Sequence, residues 1–339
     1  MDKFSSQSQL KKTYIDILNG YSCIDRGGNG RGALYIKHLS IFESQEIDEI
    51  NDFYKKKFIK EGMPTLEEKE KDLEKDKLWT KKERGRIQEL TLYLKNLEAT
   101  KSKLVLKSQI DLISLDARKS ELELEKLLSE RAELVGSTAE SFADKKANDH
   151  YLMISLYSDP QLSKKKFTPE EFDEISEEEL AQVSSSYSLL LNSFTPKNLK
   201  KISLSPFFVN SFCMVEDNPY QFYGKPMTEL TFYQTDILLY GKYFRSLLSD
   251  MKNKPPQDVM DDPDKLVEYF NISKNTSKLM DKRTKEGAAT TIVGATSEDL
   301  KAMGLKSGNV NDNQIDLSKA AGKKGGALGM EDLLKLHGV

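Results

Sequence analysis

The sequence predicts a mainly α protein with an N-terminal β-hairpin, a projecting antiparallel coiled-coil arm, a compact helical domain and a disordered or extended C-terminal tail. Three observations carry this reading. Residues 195–251 gather the aromatic side chains, among them Phe207, Phe208, Phe212, Phe222, Tyr233, Tyr240 and Phe244, and aromatic side chains bury the most area per residue. Residues 83–135 are charged helix formers with leucine at heptad spacing, the pattern of a helix–helix seam. Beyond Phe270 no aromatic residue occurs, and Gly, Ala, Ser, Thr, Lys and Asn take over. Such a segment cannot offset its ordering entropy by burial. The expected divisions are residues 1–39 for the hairpin region, 40–82 for a helical connector, 83–135 for the arm, 136–270 for the helical core and 271–339 for the tail.

In chain order, residues 1–12 are polar and read as loose. Residues 14–18 and 33–39 read as β-like runs, with 21–24 as a pairing candidate. Between Arg26 and Arg31 stand Gly27, Gly28, Asn29 and Gly30, and Gly32 follows. A P-loop requires Lys and Ser/Thr at the start of a following helix. Here Ala33, Leu34, Tyr35 and Ile36 follow instead, so a hairpin turn is expected. Arg26 and Arg31 would be free to grip an acidic group of a partner.

Residues 43–61 predict a helix with Ile47, Ile50, Tyr54 and Phe58 on one stripe, closed by Gly62 and Pro64. Thr65 with Glu68, and Thr80 with Glu83, have capping-box spacing. Trp79, immediately before the second box, is expected to anchor packing at that helix start. The arm's seam reads Ile87, Leu90, Leu94, Leu97, Lys101 and Leu104, then Ile113, Ala117, Ser120, Leu124, Leu127 and Leu134. The phase slips near Leu106, and Ser108 with Asp111 makes a second helix start. Two antiparallel helices joined by a turn near 104–108 follow, each limb about 35 Å long at 1.5 Å per residue. One continuous helix in a parallel dimer fits the same heptads.

Gly136 ends the arm, and a helix restarting at Thr138 should run through Tyr157 to Asp159 and Pro160. Thr168 with Glu171 and Ser176 with Glu179 cap two more starts. The acids between 170 and 179 complement helix N-termini; they lack the calcium-loop pattern with its central glycine. Thr195–Pro196, Ser205–Pro206 and Asn218–Pro219 are three N-cap and N1 pairs. The long helix from about 231 to 251 should place Tyr233, Ile237, Tyr240, Phe244, Leu247 and Met251 on one face. Pro255 and Pro256 form a stiff linker. Asp262 and Pro263 open one short helix. Two apolar islands interrupt the tail, a capped turn at 297–304 and an amphipathic segment at 329–336. In the second, Met330, Leu333, Leu334 and Leu336 present an apolar face for a partner's groove.

Composition narrows the function classes. Net charge is −3 with a pI near 5.9, so direct nucleic-acid binding has no electrostatic support. Cys23 and Cys213 lie far apart without metal-ligand spacing, which fits a reducing compartment. No apolar run approaches membrane-helix length. His38, His150 and His337 fall in three separate segments, and no Ser/His/Asp or Cys/His pattern emerges. His38 and His150 read as structural histidines. The expectation is a non-enzymatic protein with no cofactor, no metal and no membrane.

Ile202 to Phe208, Asn218 to Pro226 and Leu230 to Gln234 carry a resemblance. These segments look like structural and assembly proteins of tailed bacteriophages, of the tail-assembly chaperone, connector or baseplate type. The order of hairpin, coiled arm, helical body and long tail is similar too, although arm and tail depart from the compact chaperone pattern. The resemblance implies a virion or tail component, or an assembly chaperone, located in the virion or the host cytoplasm. Its partners would be other structural proteins of a larger assembly, or copies of itself. The alternative is a regulatory adaptor that docks a polymerase or other enzyme through the helical domain and the C-terminal segment.

Overall fold

Leu10, Tyr14 and Ile17 recur at spacings of four and three, and they begin the fold as one face of a helix, α1 (Lys3–Asn19). The computed structural model describes residues 3–24, 33–215, 218–251, 254–286 and Asp299. These belong to two compact units, Met1–Gln88 with Glu125–Leu266 and Glu89–Leu124 with Val267–Val339. The expected loose segment, from Lys3 on, and the expected strand 14–18 are thus corrected to helix. Tyr14 and Ile17 are buried in the aromatic core, and a helical period lets both face it. Gly20, with φ +74°, closes α1 in the left-handed conformation open to glycine. The chain then enters β1 (Tyr21–Ile24), which pairs antiparallel with β2 (Leu34–Lys37), Tyr21 opposite Lys37. The Arg26–Arg31 loop lies outside the described residues.

α2 (Ile41–Lys60) starts on a capping box of Ser40 and Glu43. Its half-buried stripe is the expected Ile47, Ile50, Tyr54 and Phe58. α3 (Leu66–Lys75) starts on the Thr65–Glu68 box. At α4 (Lys81–Lys101), Glu83 accepts from the Thr80 amide at 2.8 Å. Trp79 is 2% exposed against Leu73, Ile87, Leu127 and Val135. Over that cluster Arg131 Nε donates to Glu70 at 2.7 Å, and Arg84 pairs with Glu74 at 3.4 Å.

Residues 102–106 separate α4 from α5 (Lys107–Val135). Ile87, Leu90, Leu94, Leu97 and Lys101 on α4, and Ile110, Ile113, Ala117, Ser120, Leu124 and Leu127 on α5, are buried or half-buried. Tyr93 donates its hydroxyl to Asp116 on the returning limb. Leu134 leaves the seam, 41% exposed, and Val135 is buried in its place. Gly136 ends α5 with φ +65°.

α6 (Ala139–Ser155) runs antiparallel along α2. Asn51 donates to Asp144 at 2.6 Å, His150 contacts Glu46 at 3.1 Å, and the Phe58 and Phe142 rings lie 5.8 Å apart. Ala139, Ala143 and Ala147 on α6 are all buried. The helix stops before the expected Tyr157, because Leu156 and Tyr157 form β3 (Leu156–Tyr157) against β2. The resulting sheet has the order β1-β2-β3. It buries Leu34, Ile36 and Leu156 against Leu152, Phe167 and Val183.

The capped starts at Thr168 and Ser176 open α7 (Pro169–Asp173) and α8 (Glu177–Leu191). All three predicted Xaa-Pro starts open helices: α9 (Pro196–Leu204), α10 (Pro206–Met214) and α11 (Pro219–Tyr223). The long helix is α12 (Phe232–Ser249). Phe208, Phe212, Ile202, Leu199 and Ile237 form the centre of the aromatic core, with Tyr14 and Ile17 from α1. Gln234, fully buried on α12, accepts from the Thr231 amide at 3.1 Å and donates to the Ile17 carbonyl at 2.9 Å. A short α13 (Gln257–Met260) precedes α14 (Pro263–Glu286). The helix expected to end near Phe270 therefore continues to Glu286, with Ile272 buried in the second unit against Leu106 and Ile110.

Candidate functional site

Helix ends leave backbone groups unsatisfied, and at the α4–α5 turn the C-terminal third of the chain supplies partners for both ends. The Asn275 side chain on α14 donates to the carbonyls of Ser102 at 2.9 Å and Leu104 at 3.3 Å. That closes the C-terminal end of α4. α5 begins after Leu106, whose side chain cannot cap, and carries no acid in its first turn. Asp299 takes that role. The Ser108 amide donates to its Oδ1 at 2.8 Å and the Ser108 hydroxyl to its Oδ2 at 2.9 Å. Asp299 is fully buried there. The expected local start of Ser108 with Asp111 is replaced by this carboxylate, 191 residues away.

Charge and apolar packing reinforce the turn. Glu268 on α14 meets Lys107 at 3.2 Å and Lys101 at 3.6 Å. Burial opposes the charge on Lys107, but the hydrogen bonds and charges of Glu268 and Asp111 outweigh it and raise its pKa. Leu106, Ile110 and Ile272 form a small buried cluster, edged by Leu104 and Val105. Beside these, Leu112, Leu115 and Leu122 on the outer side of α5 are 68%, 54% and 60% exposed.

The first unit holds two further arrangements. Asp16, Ser22 and His38 form a hydrogen-bonded line, with Ser22 Oγ at 2.8 Å from His38 Nε2. The residue types are those of a hydrolase triad, but the order is not: serine stands between acid and histidine, whereas a triad needs histidine in the middle. Ser22 is fully buried, and His38 sits edge-on to Phe194 and Tyr233 at 5.0 and 5.1 Å. Burial lowers the His38 pKa to about 3. The ring is therefore neutral, and its Nε2 shares a hydrogen bond with Ser22, which is also hydrogen-bonded to Asp16. Nδ1 has no partner among the described residues. This is a structural histidine.

The second arrangement is an apolar cavity of about 270 Å³ between α9, α10 and α12, lined by Leu204, Val209, Phe212, Gly241, Phe244 and Leu248. Ser203, Cys213, Arg245 and Ser249 line it as well. Its chemistry suits an apolar side chain and offers no reacting group beyond the cysteine thiol.

The predicted partner-binding residues Met330, Leu333, Leu334 and Leu336 lie outside the described residues. Among the described residues there is no cluster of metal-ligating side chains and no helix long and apolar enough to cross a membrane. Asn275, Glu268 and Asp299 are the contributors that sequence reasoning missed. The one available signal was the apolar island at 297–304, which marked the place of Asp299 without naming its partner. In comparisons with protein families, curated proteins and solved structures, nothing matches this chain.

Proposed function

We propose that the chain is a non-enzymatic structural or assembly protein of a tailed-bacteriophage particle, acting through protein–protein contacts in the virion or the host cytoplasm. The observation that carries the reading is the α4–α5 hairpin. Its limbs meet at Tyr93 and Asp116, its turn is closed by the chain's own C-terminal third, and α5 exposes Leu112, Leu115 and Leu122. A neighbouring helix would cover these leucines. In this reading the hairpin is a projecting coiled-coil arm that contacts other structural proteins or further copies of the chain. The C-terminal segment with Met330, Leu333, Leu334 and Leu336 is a second contact element, which tethers a partner at raised effective concentration.

The test is assembly. Light scattering after size exclusion, in lysate of the native source, should find the chain in a large complex. Replacing Leu333→Asp with Leu334→Asp should abolish that complex while the melting curve of the isolated chain stays unchanged. An unaltered complex would remove the C-terminal segment from the reading. The cavity beneath α10 and α12 favours a second reading, an adaptor that receives an apolar side chain of an enzyme. A one-to-one complex of small mass would support it.

A further inference from the structure

The long helix α12 is apolar on two sides. Its inward face, with Ile237, Gly241 and Phe244, is buried. At 100° per residue, Phe232, Asp236, Leu239 and Tyr243 fall within about 60° of one another, turned away from that face, on a stripe about 17 Å long. Phe232, Leu239 and Tyr243 are 45%, 58% and 47% exposed. The side of a helix opposite its core normally carries polar residues. Here two aromatic rings and a leucine stand there, and aromatic side chains are the usual anchors of protein contacts.

Asp236 sits within this stripe. It is half-buried, no cation pairs with it among the described residues, and burial raises its pKa. Lys242 and Arg245, the basic residues of α12, stand about 90° or more around the helix from the stripe. A purely apolar partner laid over the stripe would strip water from the carboxylate and give nothing back, which is costly. A partner with one cation among apolar side chains would cover the stripe and pair the charge. A second copy of the same face would bring a second carboxylate instead.

We propose that the outer face of α12 is a docking site for an amphipathic helix of another protein, whose lysine or arginine pairs with Asp236 while its apolar side chains cover Phe232, Leu239 and Tyr243. The acid sets the choice of partner by penalising neutral and acidic competitors. The site shares no residue with the hairpin or with residues 330–336, so it stands or falls apart from the contacts proposed there.

A fluorescein-labelled, alanine-based helical peptide tests the pairing on the full-length chain. It carries leucines at the spacing of Phe232, Leu239 and Tyr243, and lysine at the place of Asp236. By fluorescence anisotropy it should bind saturably, and exchanging its lysine for glutamate should weaken binding about tenfold or more, the size of a hydrogen bond to a charged group. Asp236→Lys in the protein should reverse that preference. Leu239→Ser, at an exposed position, should weaken the lysine peptide without moving the melting temperature. Should Asp236→Lys unfold the chain, Asp236→Asn, close in shape, should bind the lysine and glutamate peptides equally. No binding of the lysine peptide, a preference unchanged by these substitutions, or indifference to Leu239→Ser would overturn the proposal. So would a wild-type dimer, seen by light scattering, that Leu239→Ser dissolves, because the face would then belong to a second copy.

Discussion

Gly241 lies against the ring of Phe208 so closely that a β-carbon at Gly241 would sit 2.8 Å from Phe208 Cε1 and 3.1 Å from Phe212 Cε1. The two rings are themselves stacked, with centroids 5.0 Å apart, and both are buried. Phe208 is fully buried and does not line the cavity beside Phe212, so it has little room to give way. Gly241→Ala should therefore destabilise the first unit by about 1–3 kcal/mol, the usual cost of overpacking. Alanine's advantage in a helix of about 1 kcal/mol pulls the other way and is too small to reverse the sign. Urea unfolding measures the difference, and a stabilised variant would show that the α10–α12 contact yields easily.

On the same helix, Phe244 is buried at 2% exposure while Lys242 faces solvent. Phe244→Ala should cost about 3–5 kcal/mol through lost burial and the cavity left behind. Lys242→Ala should stay within about 0.5 kcal/mol. Matching losses in thermal unfolding would contradict the helical phase.

Protonation of His38 gives the fold a pH dependence with a definite sign. Its folded pKa, near 3, lies below the unfolded value of 6.5. Above both values the ring is neutral in either state, so it contributes no slope. As pH falls below about 6.5 the unfolded chain takes up a proton that the folded chain refuses, and stability drops by about 1.4 kcal/mol per pH unit. Asp16 and Asp236, whose pKa values burial raises, act in the opposite direction at lower pH. The comparison is therefore between wild type and His38→Gln. The variant should lose less stability between neutral and mildly acidic pH, and identical slopes would show that the buried ring is protonated in the fold.

Periodicity and capping made much of this architecture legible. Every Xaa-Pro start from Thr195 to Asn218 opens a helix, and the stripe on α2 is the one its spacing predicts. What escaped were positions where chemistry contradicts burial. Gln234 looks polar and Gly241 looks neutral, yet both are buried on α12, the first because two backbone groups satisfy its amide and the second because it leaves room for Phe208. The inward face thus adds Gln234, Leu238 and Gly241 to the expected stripe, on which Tyr233 still packs against the core, while Met251 lies beyond the end of α12. α1 was misread because Tyr14 and Ile17 have strand-forming side chains, while the core they meet lies more than 180 residues on. The closure of the α4–α5 turn was out of reach for the same reason. The island at 297–304 marks the place of Asp299, but nothing local pairs it with Ser108, 191 residues away.

The division of contacts leads to a prediction about the hairpin. The cluster of Leu73, Trp79, Ile87, Leu127 and Val135, with its cover of Glu70 and Arg131, lies wholly within the first unit. Within the second unit, Tyr93 meets Asp116, Leu106 and Ile110 pack on Ile272, and Ser102, Leu104 and Ser108 bond to Asn275 and Asp299. Replacing 89–124 with a short Gly-Ser linker should therefore leave the first unit's cooperative thermal unfolding in place. Residues 267–286 would lose Leu106 and Ile110 from the face of Ile272, and Asn275 would lose both of its carbonyl partners. With few buried contacts left, that part of α14 should open at a much lower free energy than the core. Hydrogen exchange on the truncated chain should show fast amides over 267–286 beside protected ones in α9 and α12. Loss of the cooperative transition would mean that the aromatic core depends on the hairpin. Unchanged protection over 267–286 would mean that this part of α14 does not rely on the turn it closes.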